Sequence, residues 1–376
     1  MRVALVHDYL TQYGGAEKVL EALHALYPGA PVYTSVYASE AMPACFQRWK
    51  IRTSFMQRLP LLRRKHQLGL PLYPTAFEQF DLSGYDLVIS SSSAWAKGVI
   101  TGPQTLHICY CHSPMRFAWS YQDYARGENV GALGKLVLPF ILSYVRLWDE
   151  TSAGRADAYI ANSREVARRI SKYYRREATV INPPVELGGF APEEKLGDYF
   201  LVVSRLVPYK RLDIVIDAFN RLSLPLKVVG CGRQRAELEA RAKPNISFLG
   251  AVGQDELRRL YARCRALIWS EASDFGIAPV EVQASGRPVI AYAAGGALET
   301  VLDGETGIFF GRQTPASLIQ AVEGFRAEAF DPARIRRHAE EYGVPVFERR
   351  IREFVDAALA EKQAERNASA WNCANT

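Results

Sequence analysis

Short apolar runs alternate with amphipathic segments of helical length along almost the whole chain. This alternation is typical of parallel α/β architecture, in which a helix carries the chain from the end of one strand back to the start of the next. In the first half the pattern predicts strands at 3–7, 87–90, 107–110, 158–161 and 179–181, and helices over 15–26, 136–152 and 163–173.

The alternation is interrupted once and then starts again. Pro183 and Pro184 stop regular structure, because proline fixes φ and lacks an N–H donor, and a polar segment follows them. We therefore expect two Rossmann-like domains, 1–188 and 197–343, that face each other across a cleft, with room for a helix over 344–362 to pack back onto the first. The second series predicts strands at 200–204, 227–229, 246–249, 266–269 and 288–291.

Length and composition agree with two globular domains. A chain of 376 residues is longer than the ~250–300 residues at which single cores usually stop growing, and 48% hydrophobic with 23% charged residues disfavours disordered and fibrous classes. The chain starts directly with an apolar strand, no apolar run approaches the ~18 residues of a membrane span, and the six cysteines form no paired knuckles. These features predict a cytoplasmic protein.

Gly14 and Gly15 lie where the first predicted strand gives way to the first helix. In open parallel sheets, ligands bind beyond the carboxyl ends of the strands. Paired glycines there let the backbone approach a ligand closely, and the N-terminus of the helix favours an anion. A tight turn without a ligand explains the pair equally well.

The second domain carries two cations, Arg205 and Lys210, soon after its first strand. Both suit a diphosphate and the negative charge that develops on a departing nucleoside diphosphate. A solvated basic turn is the alternative. Gly230, in a Gly-x-Gly turn after the next strand, is weaker evidence because the full dinucleotide fingerprint is absent, and an ordinary turn fits it better.

The stretch 269–281 is the most informative. A strand ends, a glycine-containing turn follows and a helix begins, which places backbone N–H groups and acidic side chains together. Glu281 on that helix is placed to accept hydrogen bonds from ribose hydroxyls. Asp274, Phe275 and Gly276 spell the kinase triplet, but the other kinase signatures are missing, and we reject a kinase.

His112 follows a predicted strand and stands near Cys109 and Cys111. A zinc site needs about four ligands, and no second cluster accompanies these three residues. No metal is therefore expected, and a purely structural histidine is the alternative to a catalytic one.

Together these motifs resemble family 4 of the retaining glycosyltransferases, which have the GT-B architecture. The matching segments stand in order in both halves of the chain, which makes the set far more specific than any single one. They are HDYLTQYGGAEKVL, YCHSPMRFAW, IANSREVARRI, INPPVE, SRLVPYKRLD and DFGIAPVEVQASGRPVIAYAAGG. The resemblance, rather than the periodicity, supplies the enzyme class.

The resemblance implies catalytic roles for His112, which would contact the transferred sugar, and for Arg205 and Lys210, which would grip the diphosphate. Gly14 and Gly15 would border the acceptor and diphosphate side of the cleft.

A second group of residues would bind the donor. Phe275 and Gly276 would offer backbone donors, Glu281 would hold the ribose, and the loop around Val252 would touch the base. The donor-binding residues implied are Asp274, Phe275, Gly276, Glu281, Val252 and Gly230.

One position departs from the family pattern. The family has two glutamates separated by seven residues, and the first falls on Ser273 here. Glu271 or Asp274 would have to substitute for it. A catalytically impaired scaffold that binds sugar nucleotides is therefore an alternative, whereas the incomplete glycine fingerprint disfavours a nicotinamide-dependent dehydrogenase.

The N-terminal segments most resemble those of bacterial mannosyltransferases that build O-antigen or exopolysaccharide repeats. The implied donor is GDP-mannose, with UDP-glucose or another UDP-sugar as the alternative, and the implied acceptor is a polyprenyl-diphosphate-linked saccharide. Retention without a carboxylate nucleophile predicts front-face substitution, in which a phosphate oxygen of the leaving group accepts the acceptor's proton. No cofactor is expected.

A basic stretch over 48–65 predicts a further partner. There is no acidic residue between Glu40 and Glu78, and cations alternate there with apolar side chains, a mixture that suits adsorption to an anionic membrane surface, here the inner face of the plasma membrane. The cations are Arg48, Lys50, Arg52, Arg58, Arg63, Arg64 and Lys65. A solvated basic face is the alternative, and nucleic acid is not expected because no nucleic-acid-binding fold accompanies the stretch.

Overall fold

The computed structural model describes residues 1–59, 66–119, 132–193 and 195–374, which form two compact units. The first unit contains the described residues up to Pro184 together with those from Pro345 onward, and the second contains Val185–Val344. Arg63, Arg64 and Lys65 of the basic stretch lie outside the described residues.

The first unit is built on a parallel sheet of seven strands. They are β1 (Val3–His7), β2 (Val32–Thr34), β3 (Ile51–Thr53), β4 (Leu87–Ser92), β5 (Leu106–Cys111), β6 (Ala158–Ala161) and β7 (Thr179–Val180). The order across the sheet is β3-β2-β1-β4-β5-β6-β7. The α-helices described before the second unit are α1 (Gly15–Leu26), α2 (Tyr73–Glu78), α3 (Arg116–Trp119), α4 (Ala132–Ala153) and α5 (Arg164–Tyr174).

Both faces of this sheet are covered, because successive side chains of a strand point to opposite faces. Leu5 of β1 packs in a cluster with Leu20 of α1, whereas the neighbouring Val6 packs in a separate cluster with Val145 and Trp148 of α4. The central strands β4 and β5 are therefore buried along their whole length, as expected of a parallel sheet covered on both faces, and they include polar residues such as Ser90 and His107.

The second unit contains a parallel sheet of six strands. They are β8 (Phe200–Val203), β9 (Leu226–Val229), β10 (Ile246–Gly250), β11 (Leu267–Trp269), β12 (Val289–Tyr292) and β13 (Gly307–Phe310). The order is β10-β9-β8-β11-β12-β13. The α-helices described in this unit are α6 (Leu212–Leu222), α7 (Arg235–Arg241), α8 (Gln254–Arg263), α9 (Ile277–Ala284), α10 (Ala297–Thr300), α11 (Pro315–Gly324) and α12 (Pro332–Glu340).

The last described helix is α13 (Val344–Ala374). Phe347, Ile351 and Val355, spaced four residues apart, are buried in the same cluster as Leu5 of the first sheet. None of the helices in the described part of the chain has the length and apolar character needed to span a bilayer.

The strand order reverses once in each sheet, beside its first strand. β1 lies between β2 and β4, and β8 lies between β9 and β11. Such a reversal is called the topological switch point. Open α/β sheets bind their ligands there, beyond the carboxyl ends of the strands. The predicted pair of Rossmann-like α/β domains is confirmed, and the two switch points locate the candidate site residues.

Candidate functional site

A buried polar network occupies the switch point of the first sheet. His7 ends β1 and pairs in register with Ser91 of β4. Its Nδ1 lies 3.1 Å from the Ser91 hydroxyl, and its Nε2 lies 3.5 Å from Oε1 of Glu17 on α1. The same hydroxyl lies 2.8 Å from Nε2 of His112, so the predicted histidine is the last member of a chain of four side chains.

His112 follows β5 directly and is only 9% exposed. Burial, with a smaller contribution from His7, lowers the pKa of its imidazole to about 3. The ring is therefore neutral at physiological pH and can offer hydrogen bonds but no positive charge.

The neighbouring thiols of Cys109 and Cys111 are poorly suited to bind a metal. Cys109 and Cys111 are buried on β5, and burial raises the pKa of the Cys111 thiol well above its ordinary value, which disfavours the thiolate that a metal would need. Among the residues that the structure describes, no group of three or more histidine, cysteine or acidic side chains is arranged around a possible metal position.

Gly14 and Gly15 begin α1, with Gly14 as its N-cap and Gly15 as its first residue. The Gly14 N–H donates to Oε2 of Glu17 over 2.8 Å, which is one half of a capping box. A Cβ on Gly14 would lie 3.3 Å from that oxygen. The glycine thus keeps Glu17 close to the start of the helix, next to His7.

Asp8 is a buried carboxylate at the same sheet edge that the sequence reasoning missed. It follows β1, is 3% exposed, and its carboxylate accepts four backbone N–H groups from the turn after β4. The donors are Ser93 (2.6 Å), Ala94 (3.0 Å), Trp95 (2.7 Å) and Ala96 (2.7 Å). An acidic residue directly after the first strand was the available signal, but its partners lie too far along the chain for any local pattern to identify.

Lys210 and Glu271 bridge the switch point of the second sheet. Lys210 ends a 3-10 turn that follows β8, Glu271 follows β11, and the two form a salt bridge. Their side chains are 15% and 4% exposed. The Ser270 hydroxyl donates to the Lys210 carbonyl over 2.9 Å, which fixes the same turn from the backbone side.

Arg205, the other predicted cation, lies in the loop directly after β8. Its side chain is exposed, and it donates to the Tyr209 hydroxyl over 2.7 Å. Arg205 and Lys210 therefore belong to one loop at one sheet edge, with the arginine open to solvent and the lysine held by Glu271.

The segment from β11 to α9 has the predicted order of a strand, a glycine-containing turn and a helix. Gly276 is the N-cap of α9 and has a φ of 100°, a conformation that favours glycine. A Cβ there would approach the Trp269 ring to 3.2 Å and the Ser273 hydroxyl to 3.3 Å. Ser273 itself is buried, and its hydroxyl accepts a hydrogen bond from Nε1 of Trp269 over 3.3 Å.

The flanking residues of this turn are packed from two sides. Phe275 is 3% exposed. A Cβ on Gly296 would lie 2.2 Å from the Phe275 carbonyl oxygen, so the backbone of the loop after β12 packs directly against the backbone of Phe275. Asp274 is half-buried, and Glu281 on α9 accepts from the Tyr261 hydroxyl over 3.0 Å.

Gly230 and Val252 follow β9 and β10. Gly230 has a φ of 132°, and a Cβ there would lie 1.9 Å from the Ser204 carbonyl oxygen. The glycine is therefore required for the β9 loop to lie against the loop that carries Arg205. Val252 is half-buried against the core of this unit. The ligand contacts of both residues stay predictions.

The fold defines the class of the protein. The structure of HepE from Anabaena, solved in complex with UDP and also with UDP-glucose, is similar with a TM-score of 0.70 at 19% identity, covering 95% of this chain and 100% of that one. The chain has the GT-B fold.

Two family models then identify the family. Residues 13–188 match the model described as Glycosyltransferase Family 4, and residues 197–326 match the model described as Glycosyl transferases group 1. The chain belongs to glycosyltransferase family 4.

Individual relatives are more distant. An uncharacterized glycosyltransferase of Methanocaldococcus jannaschii is 29% identical over 51% of this chain and 60% of its own length. The D-rhamnosyltransferase WbpZ of Pseudomonas aeruginosa is 29% identical over 46% of this chain and 50% of its own. The chain thus spans about half the length of the curated relatives that it matches.

Proposed function

We propose that the protein transfers a hexose from a nucleotide sugar to a lipid-linked saccharide with retention of the anomeric configuration, and that the donor is GDP-mannose. The observation that carries this proposal is the loop after β8, in which Arg205 and Lys210 stand at the switch point of the second sheet. A second candidate donor is UDP-glucose, which is favoured by the similarity to HepE, a protein solved with UDP and with UDP-glucose.

The two cations serve different parts of the reaction. Glu271 offsets the charge of Lys210, whereas the exposed Arg205 has no acidic partner among the described residues. Arg205 then supplies net positive charge to the diphosphate, and Lys210 supplies a fixed donor whose position Glu271 holds. Donors that are held in place before the reaction stabilise the charge of the leaving diphosphate without reorganising.

The remaining roles follow the resemblance to the family. The bond from C1 of the sugar to the diphosphate breaks while the acceptor oxygen bonds to C1 on the same face. The acceptor's proton passes to a phosphate oxygen of the leaving group. His112, being neutral, orients a sugar hydroxyl, and Glu281 binds the ribose.

The lipid-linked acceptor is supported by the surface of the first unit. The segments 48–59, 66–77 and 137–147 share one core, to which they contribute Met56, Tyr73 and Val145. They contain no acidic residue, and their cations are Arg48, Lys50, Arg52, Arg58 and Arg146.

Large apolar side chains on the same segments are exposed to solvent. They are Leu59 (42% exposed), Leu72 (39%), Val137 (43%), Phe140 (75%), Tyr144 (52%) and Leu147 (66%). Exposed apolar side chains together with cations suit adsorption to an anionic bilayer. We therefore extend the proposed membrane surface from 48–65 to α4, whose exposed face would enter the interface.

Donor binding and donor cleavage test the function. Thermal unfolding with GDP-mannose, UDP-glucose, UDP-GlcNAc and the free diphosphates should single out one base and sugar, since a ligand at 100 times its Kd stabilises the fold by about 2.7 kcal/mol. Slow hydrolysis of that donor without an acceptor should follow for an enzyme, whereas a scaffold binds without cleaving. No stabilisation by any of these compounds would contradict the proposal.

A further inference from the structure

Hydrogen bonds link Glu17, His7, Ser91 and His112 at the first switch point, and the donor and acceptor of each can be assigned in turn. We infer that Glu17 sets the tautomer of His112 through His7 and Ser91, so that His112 presents the lone pair of Nδ1 to its ligand. The inference rests on the proposed contact between His112 and the sugar, and it adds three positioning residues to it.

The first step concerns Glu17. A carboxylate only accepts hydrogen bonds, and one of its oxygens already accepts from the Gly14 N–H over 2.8 Å. The other oxygen faces Nε2 of His7, so this nitrogen must carry a proton to interact favourably. The capping box of α1 therefore orients a carboxylate that selects the Nε2–H form of His7.

The second step passes through Ser91. In the tautomer that carries its proton on Nε2, His7 has a lone pair on Nδ1, which accepts a hydrogen bond from the Ser91 hydroxyl over 3.1 Å. The hydroxyl oxygen then accepts from the Nε2–H of His112 over 2.8 Å. All four side chains are at most 9% exposed, so water does not readily replace a member of the chain.

The third step concerns the free edge of His112. With a proton on Nε2, its Nδ1 is an acceptor, and the hydrogen bond to Ser91 through Nε2 is the only side-chain hydrogen bond of His112 among the described residues. An acceptor at this place fits a hydroxyl that donates its proton. His112 would thus fix the direction of one sugar hydroxyl rather than give it a proton.

His107 provides an internal control on the same sheet. It also pairs with a serine of β4, since its Nε2 lies 2.9 Å from the Ser90 hydroxyl. Its Nδ1 faces the backbone carbonyl of Arg155 at 3.3 Å, and a carbonyl can only accept. His107 therefore holds the opposite tautomer, Nδ1–H, independently of Glu17.

The test is ¹⁵N NMR of the full-length protein labelled at histidine, with wild type compared to Glu17→Gln. In the variant the amide oxygen accepts from the Gly14 N–H, and the amide nitrogen donates to Nε2 of His7. His7 and His112 should both change to the Nδ1–H form, while His107 keeps its tautomer. Signals are assigned with His7→Gln and His112→Gln.

Kinetics and a second variant complete the test. Glu17→Gln should lower kcat/KM for the sugar donor about tenfold, the effect of one misdirected hydrogen bond, and Ser91→Ala should do the same while leaving His7 in its Nε2–H form. Ser90→Ala, the matched control, should leave donor use unchanged.

The proposal is overturned if wild-type His112 carries its proton on Nδ1, or if Glu17→Gln leaves its tautomer unchanged. Because the NMR readout needs no turnover, it stands apart from a failure of the proposed function. A protein with the stated tautomers but no donor binding would refute the function alone.

Discussion

Ser273 occupies the position at which the family carries its first glutamate, and its hydroxyl is committed to the Trp269 indole. Glu271, two residues earlier, pairs with Lys210 instead of standing free for a sugar. Glu271 is therefore held by a cation of the loop after β8. The sequence indicated both residues, but only the geometry assigns Glu271 to Lys210, because their contact joins loops after two different strands.

The buried histidines predict how stability depends on pH. Burial lowers the pKa of His107 to about 4, whereas in the unfolded chain it titrates near 6.5. Below pH 6.5 the unfolded chain therefore binds more protons than the folded one, and stability falls as the pH falls towards 4.

We expect His107 to lower the free energy of unfolding by about 2 kcal/mol between pH 7 and pH 5. Calorimetric melting of wild type and His107→Asn at both pH values measures it. The variant should be less stable than wild type at pH 7, but its free energy of unfolding should fall less between pH 7 and pH 5. Equal losses in the two proteins would refute the assignment.

At the scale of elements, strands and helices that carry many buried residues were predicted well. β1 and α1 have the predicted bounds, and the Ser163 hydroxyl caps α5 by accepting from the Val166 N–H. The strands β2, β3 and β13 were missed, although the equally short β7 and β11 were predicted. Only the first residue of β3 is partly buried, and β13 begins with a glycine, so neither shows a clear apolar run.

The Gly-x-Gly turn after β9 gives a prediction for the β9 loop. Gly230→Ala should destabilise the second unit by several kcal/mol, because an alanine is strained at a φ of 132° and its Cβ would overlap the Ser204 carbonyl. Thermal unfolding checks this, with Gly324→Ala as the control, since that glycine has open space around a Cβ. A Gly230→Ala protein with wild-type stability would show that the loop does not pack in this way.

The exposed face of α4 predicts membrane adsorption. Phe140→Ser and Leu147→Ser together should lower binding to phosphatidylglycerol vesicles at least about tenfold, because two large apolar side chains no longer enter the interface. Flotation at low salt measures binding. Leu298→Ser, which removes a 51% exposed leucine from the second unit, is the control. Equal flotation of the double variant and wild type would exclude α4 from the surface.

For the whole molecule, the sequence alone predicted two α/β domains of the GT-B type, because the ordered motifs span both halves. The base and sugar of the donor were not predictable in the same way. The residues that the resemblance assigns to them are packed by neighbouring backbone, as at Phe275 and Gly230, and such positions do not distinguish one base from another.

In the proposed reaction, Arg205 and Lys210 of the loop after β8 stabilise the negative charge of the leaving diphosphate. The most direct test is the single-turnover rate of Arg205→Ala and Lys210→Ala with saturating donor, and Arg349→Ala, which removes a 65% exposed arginine of α13, is the control. We predict that each loop variant lowers the rate of the chemical step roughly 10²–10³-fold, as loss of a preorganised donor does, while the control reacts at the wild-type rate. Rates near wild type in both loop variants would contradict the account.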